Sequence, residues 1–434
     1  MRPHHHLSGE ALALLASGGS DGPTLRELAS AQRSKQALLL WGVDRLARTV
    51  EHPEAPAAAR ALDLLRTLQR LHPAAARYVM ANPAVSAWSM TELRLLRAQD
   101  AGARPGQLAA LAAAAAIRAR WTCVVEVPTF DGRVVLPTLG STATAVPDQV
   151  ARVTVGGEAA HVEVGDQRIR ITAAPAEGSG WLPMRTTHVG APGEDITFLI
   201  DDLHPSRMPG EILADRLSEK DIARWTTRLD DGWALLNAHH PSRTTEVRAL
   251  TGTLTPLVPP ESVGIRSASS RETFGCVAMS IPPDGRATAL TFVHEIQHTK
   301  LCAILDIVRL TGPDRGRRFY APWRDDPRPS DGLLQGSYAF LGVSGFWRRQ
   351  RLIDRGTAAD TAHTEFARWR DAAELVCTTL LEGGDLNEQG RSFVTVMLRI
   401  LESWARDEVP AGAVAAARRS AEEHLREWKI RHGG

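Results

Sequence analysis

The sequence predicts an α+β protein that is mostly α-helical, with a small antiparallel β-sheet in the middle of the chain. Over residues 1–120, apolar residues recur at spacings of three and four, which is typical of helices. Over 121–205 the pattern changes to short alternating stretches separated by turns, which is typical of strands. Over 206–434 the helical spacing returns. We therefore expect a helical N-terminal region, a small β-rich region and a mostly helical C-terminal region with these boundaries.

Prolines divide the N-terminal region into four or five predicted helices, because proline rarely occupies a helix interior. The prolines that separate the periodic stretches are Pro53, Pro56, Pro73, Pro83 and Pro105.

The β-rich region contains several short runs of alternating residues. They cover 123–127, 153–155, 160–164 and 169–171, and the run 196–200 is predicted to be the last strand of the same sheet.

Two further elements are predicted in the C-terminal region. Residues 276–281 are predicted to form a strand, and a helical pattern resumes at Ala287. From about Leu333, four helices are expected, with breaks near Gly356, Gly383 and Pro410.

Composition argues against several classes of partner. The 51 Lys and Arg residues against 50 Asp and Glu give a net charge of +1, so no general attraction to nucleic acid or to an anionic membrane is expected. The most apolar stretch, 108–117, is much shorter than the roughly 20 residues that span a bilayer. The first residues lack the features of a secretory signal, and the four cysteines form no C-x-x-C pair. These features predict a cytoplasmic protein with reduced thiols, and His4 to His6 are expected to be a disordered terminal run.

The helical pattern that begins at Ala287 contains the motif His-Glu-Ile-Gln-His. His294 and His298 are four residues apart, so their side chains lie one turn apart and can bind one metal ion. In zinc peptidases the glutamate of such a motif, here Glu295, polarises a metal-bound water and acts as the general base. The competing interpretation is a pair of ordinary histidines near a glutamate on an amphipathic helix.

A third metal ligand is not evident from spacing. A metzincin would have a glycine and a histidine where this chain has Leu301 and Ile304, so that class is excluded. A thermolysin-like enzyme would draw a glutamate from the following helix, but the first glutamate after Thr299 is Glu365. A zinc metallopeptidase stays open as an alternative, as does a site with open coordination positions.

Two histidines and one further ligand are also the arrangement of non-haem iron oxygenases, which leave positions open for a 2-oxoacid and dioxygen. Such an enzyme needs a cation to hold the distal carboxylate of the 2-oxoacid. Arg324 and Arg328 are flanked by prolines and could grip it in a bidentate fashion. Alternatively, both arginines form surface ion pairs with Asp325, Asp326 or Asp331.

Three segments of the chain carry a resemblance to a known family. Residues 292–301 (FVHEIQHTKL), 320–329 (YAPWRDDPRP) and 332–340 (GLLQGSYAF) resemble the HExxH-motif peptide-modification proteins. These are 2-oxoglutarate-dependent peptide β-hydroxylases found beside radical-SAM enzymes in ribosomal-peptide gene clusters. Residues 7–12 and 201–207 and the helical ending are similar too, so the resemblance covers nearly the whole chain.

The resemblance implies a specific function. Fe(II) would be held by His294 and His298, 2-oxoglutarate would be the co-substrate, and a β-carbon of a ribosomally made precursor peptide would be hydroxylated. Glu295 would then support the site rather than act as a hydrolytic base. A radical-SAM enzyme of the same pathway is the expected partner.

The chain departs from the family pattern at one position. The family has a histidine that completes the metal set immediately before the Gly-x-Tyr-Ala-Phe segment, and this chain has Gln335 there. A glutamine carbonyl is a weaker ligand for Fe(II) than imidazole. The chain could use Gln335 as the third ligand, recruit Asp325, Asp326 or Asp331, or act as a peptide-binding scaffold without turnover.

Overall fold

A computed structural model describes residues 4–143, 149–156, 159–172, 180–261 and 264–433. Parts of the predicted β-rich region, namely 144–148, 157–158 and 173–179, lie outside the described residues. Helices at both ends of the chain and small sheets in the middle confirm the predicted α+β, mostly α class.

The described N-terminal region contains six α-helices rather than four or five. The sequence prediction relied on prolines, whereas the first helix ends without one: Ser8 caps its start and Gly18 follows its end with a φ of +79°. Glycine adopts this left-handed conformation without steric cost. The helices are α1 (Gly9–Ala16), α2 (Gly22–Thr49), α3 (Ala55–Leu71), α4 (Pro73–Met80), α5 (Pro83–Ala98) and α6 (Leu108–Ala119).

The strands of the described chain form three sheets rather than one. The strands before the second helical region are β1 (Cys123–Pro128), β2 (Val135–Leu136), β3 (Gly140–Thr142), β4 (Val150–Gly156), β5 (Ala159–Val164), β6 (Gln167–Arg170), β7 (Trp181–Pro183), β8 (Arg185–Val189) and β9 (Ile196–Ile200). Three more follow later: β10 (Thr253–Pro256), β11 (Ser267–Ala268) and β12 (Cys276–Met279). The last of these confirms the strand predicted over 276–281.

Two of the sheets are antiparallel, with strand orders β1-β4-β5-β6 and β2-β3-β7. The third has the order β11-β12-β10-β9-β8 and is mixed, since β9, β10 and β12 run parallel. The predicted last strand, β9, therefore belongs to a different sheet from β1, because it pairs with its neighbour β8 and with β10, which follows a long helical connection.

The C-terminal part of the chain contains seven further described helices. They are α7 (Glu219–His239), α8 (Pro241–Leu250), α9 (Gly285–Leu305), α10 (Ser330–Gln350), α11 (Thr357–Gly383), α12 (Glu388–Trp404) and α13 (Ala411–His432). The last four confirm the predicted helices and their breaks. None of the described helices combines the length and apolarity needed to cross a membrane.

Helix α9, which carries the histidine motif, packs between α7 and α10. The packing is close on both sides because each neighbour presents a glycine. A Cβ at Gly232 of α7 would lie 2.6 Å from the Thr288 side chain, and one at Gly342 of α10 would lie 2.6 Å from that of Gln297. The motif is thereby held in the larger of the two main hydrophobic cores, which also receives α1 and the start of α2. The second main core joins α3 to α6 with the first sheet.

Candidate metal centre

The motif lies in the middle of α9, where the backbone is fully hydrogen-bonded. The helix begins after Asp284, whose side chain accepts a hydrogen bond of 2.8 Å from the Ala287 backbone N–H. Its long apolar stripe is buried, and His294 and His298 are half-buried at the side of that stripe. The fold therefore presents the two imidazoles from a rigid element.

The two imidazoles converge. Nε2 of His294 lies 3.1 Å from Nε2 of His298. Metal–nitrogen bonds of about 2.0–2.1 Å place two nitrogen ligands of one ion roughly 3 Å apart. The spacing of the two nitrogens therefore fits a pair of ligands on a single metal ion.

Gln335 of α10 contacts the other nitrogen of His298. Its Oε1 lies 3.1 Å from Nδ1 of His298, and its Nε2 donates to Sγ of Cys302 at 3.7 Å. Since the carbonyl faces Nδ1, that nitrogen carries the proton and the lone pair of His298 is left on Nε2. Burial raises the pKa of the Cys302 thiol to about 11, so the sulfur stays protonated. Gln335 thus orients a ligand, as the outer partners of metal-bound histidines do; it does not share the side of the ring on which a metal would bind.

Aromatic side chains form the wall beside His294. The ring of Phe340 meets the imidazole edge-on with centroids 5.3 Å apart, and Phe340 in turn packs on Trp323 and Trp369 at 4.7 and 4.4 Å. Trp323 lies directly against Gly336, where a Cβ would come within 2.4 Å of its ring. Burial, together with the neighbouring imidazole of His298, lowers the pKa of His294 to about 4. At neutral pH His294 is therefore uncharged and has a lone pair for a metal.

Glu295 is held away from the imidazole pair. Its carboxylate accepts a hydrogen bond of 2.7 Å from Ser267 Oγ and a second one from Ser269 Oγ. The residue is only 1% exposed. This carboxylate joins α9 to the loop around β11, whereas a hydrolytic general base would have to reach a water on the metal.

The two candidate co-substrate arginines share a carboxylate. Arg324 Nε and Arg328 Nη1 lie 2.7 and 2.9 Å from the two oxygens of Asp326. Asp325 instead pairs with Arg431 of α13 at 2.8 Å. The ion pairs expected as the alternative are therefore present; Arg324 is exposed and Arg328 is half-buried.

Among the described residues, no third conventional ligand joins the histidines. Within the part of the chain that the structure describes, no group of three His, Cys, Asp or Glu side chains could hold a metal ion. Of the aspartates considered as alternative ligands, Asp325 pairs with Arg431 and Asp326 with Arg324 and Arg328 instead of joining the histidines. Glu365, the next glutamate along the chain, accepts a 2.6 Å hydrogen bond from Trp369 Nε1. The donor set fits a metal held by two imidazoles, with its remaining positions left to water, co-substrate or other weak ligands.

Sequence reasoning missed several residues around the imidazoles. Cys302 continues the spacing of four that relates His294 and His298, and this periodicity could have indicated it. The serines that bind Glu295 carry no such signal, since they precede it by 26 and 28 residues.

Comparisons with protein-family models and with curated proteins gave no match.

Proposed function

We propose that this protein is an iron(II)- and 2-oxoglutarate-dependent hydroxylase that acts on a β-carbon of a ribosomally made peptide. The observation that carries the proposal is the 3.1 Å approach of the His294 and His298 Nε2 atoms beside an aromatic wall. The resemblance of three sequence segments to the HExxH-motif peptide hydroxylases supplies the reaction class.

The protein's own groups would bind and orient the reactants. His294 and His298 would hold the metal, and Gln335 would fix the ring of His298 through Nδ1. Arg324 or Arg328 would hold the distal carboxylate of 2-oxoglutarate after release from Asp326. The bound iron would supply the activation of dioxygen, and overall one oxygen atom enters the peptide C–H bond while 2-oxoglutarate and the other atom become succinate and carbon dioxide.

The proposal is tested first without a peptide. Protein purified without oxygen should give a visible charge-transfer band on addition of Fe(II) and 2-oxoglutarate, and should release succinate when oxygen is admitted. Both signals should disappear in His294→Ala and in His298→Ala. His161→Ala, which changes a half-buried histidine of β5, is the matched control and should keep both. Absence of the band in the wild-type protein would refute iron and 2-oxoglutarate binding at this site.

A zinc metallopeptidase makes the opposite prediction for Glu295. Its activity would need no oxygen and would be lost in Glu295→Gln. For the hydroxylase we expect Glu295→Gln to retain the charge-transfer band, because the carboxylate is bonded to Ser267 and Ser269 rather than directed at the imidazole pair.

A peptide-binding scaffold without turnover is the second candidate. It is favoured by one observation: Gln335, where a third histidine is expected, contacts Nδ1 of His298 and not the metal side. A scaffold should bind its peptide equally well in the double variant His294→Ala, His298→Ala and release no succinate. The peptide to test is a short precursor encoded beside this protein.

The proposed reaction belongs in the cytoplasm, where peptides are synthesised and thiols stay reduced. Four free cysteines, Cys123, Cys276, Cys302 and Cys377, are consistent with that compartment. A radical-SAM enzyme acting on the same precursor is the proposed pathway partner.

A further inference from the structure

A cavity of about 500 Å³ lies away from the imidazole pair. Helices α2, α4 and α5 form one side, and the segments around Leu199, Gly252 and Gly275 form the other. Its volume lies within the range of about 300–1,000 Å³ that is typical of small-ligand sites. None of its lining residues belongs to the motif helix α9.

Three buried polar atoms in the residues that line this cavity have no hydrogen-bond partner among the described residues. They are Nε2 of Gln36, Nδ2 of Asn82 and Oγ1 of Thr251. These residues are only 7%, 4% and 6% exposed. Buried polar groups without partners are uncommon because they lose their hydration without compensation. Three of them around one cavity indicate that a bound molecule supplies the missing partners.

The orientation of Asn82 defines what that molecule must offer. Its Oδ1 accepts a 3.0 Å hydrogen bond from the Ala84 backbone N–H at the start of α5. The amino group is therefore the end that is left unpaired, and it can only donate. The unpaired Nε2 of Gln36 is likewise a donor, so the ligand must carry acceptor oxygens.

The charges of the cavity select an anion. Arg33 and Arg77 belong to its lining, both are exposed, and neither pairs with an acidic group in the described structure. The lining contains no aspartate or glutamate. Guanidinium groups bind carboxylates with paired, charge-assisted hydrogen bonds. Tyr78 and Phe274 add aromatic surface for an apolar body.

We propose that this cavity is a binding site for a carboxylate ligand with apolar flanks. Arg33 and Arg77 bind its carboxylates, and the amides of Gln36 and Asn82 donate to its remaining oxygens. Such a ligand is either an acidic segment of a polypeptide or a free dicarboxylate, which share this chemistry. The proposal is independent of the metal centre, so either proposal can fail without the other.

Calorimetric titration with defined probes tests the site. One probe is a short blocked peptide that alternates leucine with glutamate, and the other is glutarate. The matched neutral peptide has glutamine in place of glutamate. We expect at least one acidic probe to bind the full-length protein and the neutral peptide to bind at least about tenfold more weakly, because it lacks the charges that the guanidinium groups pair with. Binding of glutarate would identify a free dicarboxylate as the ligand, whereas binding of the peptide alone would identify a polypeptide segment.

Variants assign the binding to the cavity. The double variant Arg33→Gln, Arg77→Gln should lower the affinity at least about tenfold. The control Arg60→Gln, Arg70→Gln changes two exposed arginines of α3 outside the cavity and should leave it unchanged.

Gln36→Met separates binding from folding. It removes a buried amide that has no partner, so we expect the thermal midpoint to stay the same or to rise while the affinity falls. The proposal is overturned if neither acidic probe binds, if the neutral peptide binds equally well, or if both arginine pairs behave alike.

Discussion

The motif helix α9 carries buried polar groups on two opposite sides, and their surroundings differ. On one side, His294 and His298 approach each other through Nε2. On the other, Lys300 is fully buried and its Nζ lies 2.7 Å from Glu246 and 2.9 Å from the Gly18 carbonyl. His298 and Lys300 are two residues apart on the helix, which is about 200° around its axis, so their side chains point in nearly opposite directions. Lys300, whose partners all come from the protein, stabilises the fold. His294 and His298, whose Nε2 atoms face each other, can bind a ligand.

The Lys300 side is a closed ionic cluster. Burial alone would raise the pKa of Glu246, but Lys300 and Arg243 together hold it at about 2. Arg243 also donates to the Gly18 carbonyl at 2.7 Å, and Tyr338 of α10 donates to the Leu15 carbonyl at 2.6 Å. The cluster therefore fixes the end of α1 against α8, α9 and α10.

Removing the acid of this cluster should have the largest effect. Glu246→Gln leaves the buried Lys300 and the half-buried Arg243 without their counter-charge, and we expect a loss of about 3–5 kcal/mol in the free energy of unfolding, measured with urea. Asp63→Asn, which breaks the exposed pair with Arg66, is the control and should cost less than about 1 kcal/mol. Equal losses in the two variants would mean that the cluster does not stabilise the fold.

Acid titration should separate the two sides of α9 by pH. In the metal-free protein His294 has a pKa of about 4, lowered from 6.5 mainly by burial, so the unfolded chain takes up its proton first as the pH falls. Stability from this group is therefore present above pH 6.5 and lost between 6.5 and 4, by about 2–3 kcal/mol. The stability that Glu246 contributes is lost only as the pH falls from about 4.5 to about 2. His294→Gln should remove the first loss and retain the second; an unchanged profile would contradict the assignment.

Variants of Gln335 test whether residues beyond the two imidazoles contribute to metal binding. Gln335→Leu removes the acceptor from Nδ1 of His298, and we expect metal affinity to fall about 10- to 100-fold, as for other outer partners of metal-bound histidines. Gln335→Glu keeps an acceptor at the same place and should restore it. Metal binding is measured by competition with a chromophoric chelator. If Gln335→His raised the affinity strongly, position 335 would reach the metal directly and the orienting role would be wrong.

The contrast between local and distant contacts also explains what the sequence could predict. His294 and His298 were predictable because four residues along one helix fix their proximity. The strand at 276–281 and the last four helices were predictable for the same local reason. The parallel pairing of β9 with β10 joins residues about fifty positions apart, and the hydrogen bonds to Glu295 come from Ser267 and Ser269 on another element. Such contacts depend on how helices and sheets pack, which no short window of sequence records.

The resemblance to a known family predicted residue types but not their orientation. It singled out position 335 as a possible third metal ligand. In the structure Gln335 contacts Nδ1 of His298, whereas the two histidines face each other through Nε2. The arginines at 324 and 328 were expected either to bind a co-substrate or to form surface pairs, and the structure places both on Asp326.

The smallest expected effect on stability concerns that exposed triad. Asp326→Asn should change the free energy of unfolding by less than about 1 kcal/mol, since the arginines and the aspartate are about half or one third exposed. Nearby Arg324 and Arg328 hold the pKa of Asp326 at about 2, so the carboxylate competes with any incoming carboxylate at neutral pH. If these arginines bind 2-oxoglutarate, Asp326→Asn should lower the KM for 2-oxoglutarate in the succinate assay. Asp331→Asn, which changes an exposed neighbour, should leave that KM unchanged. An unchanged KM in both Asp326→Asn and Arg328→Ala would show that neither arginine binds the co-substrate. The chemistry would then depend on the two imidazoles and their immediate neighbours alone.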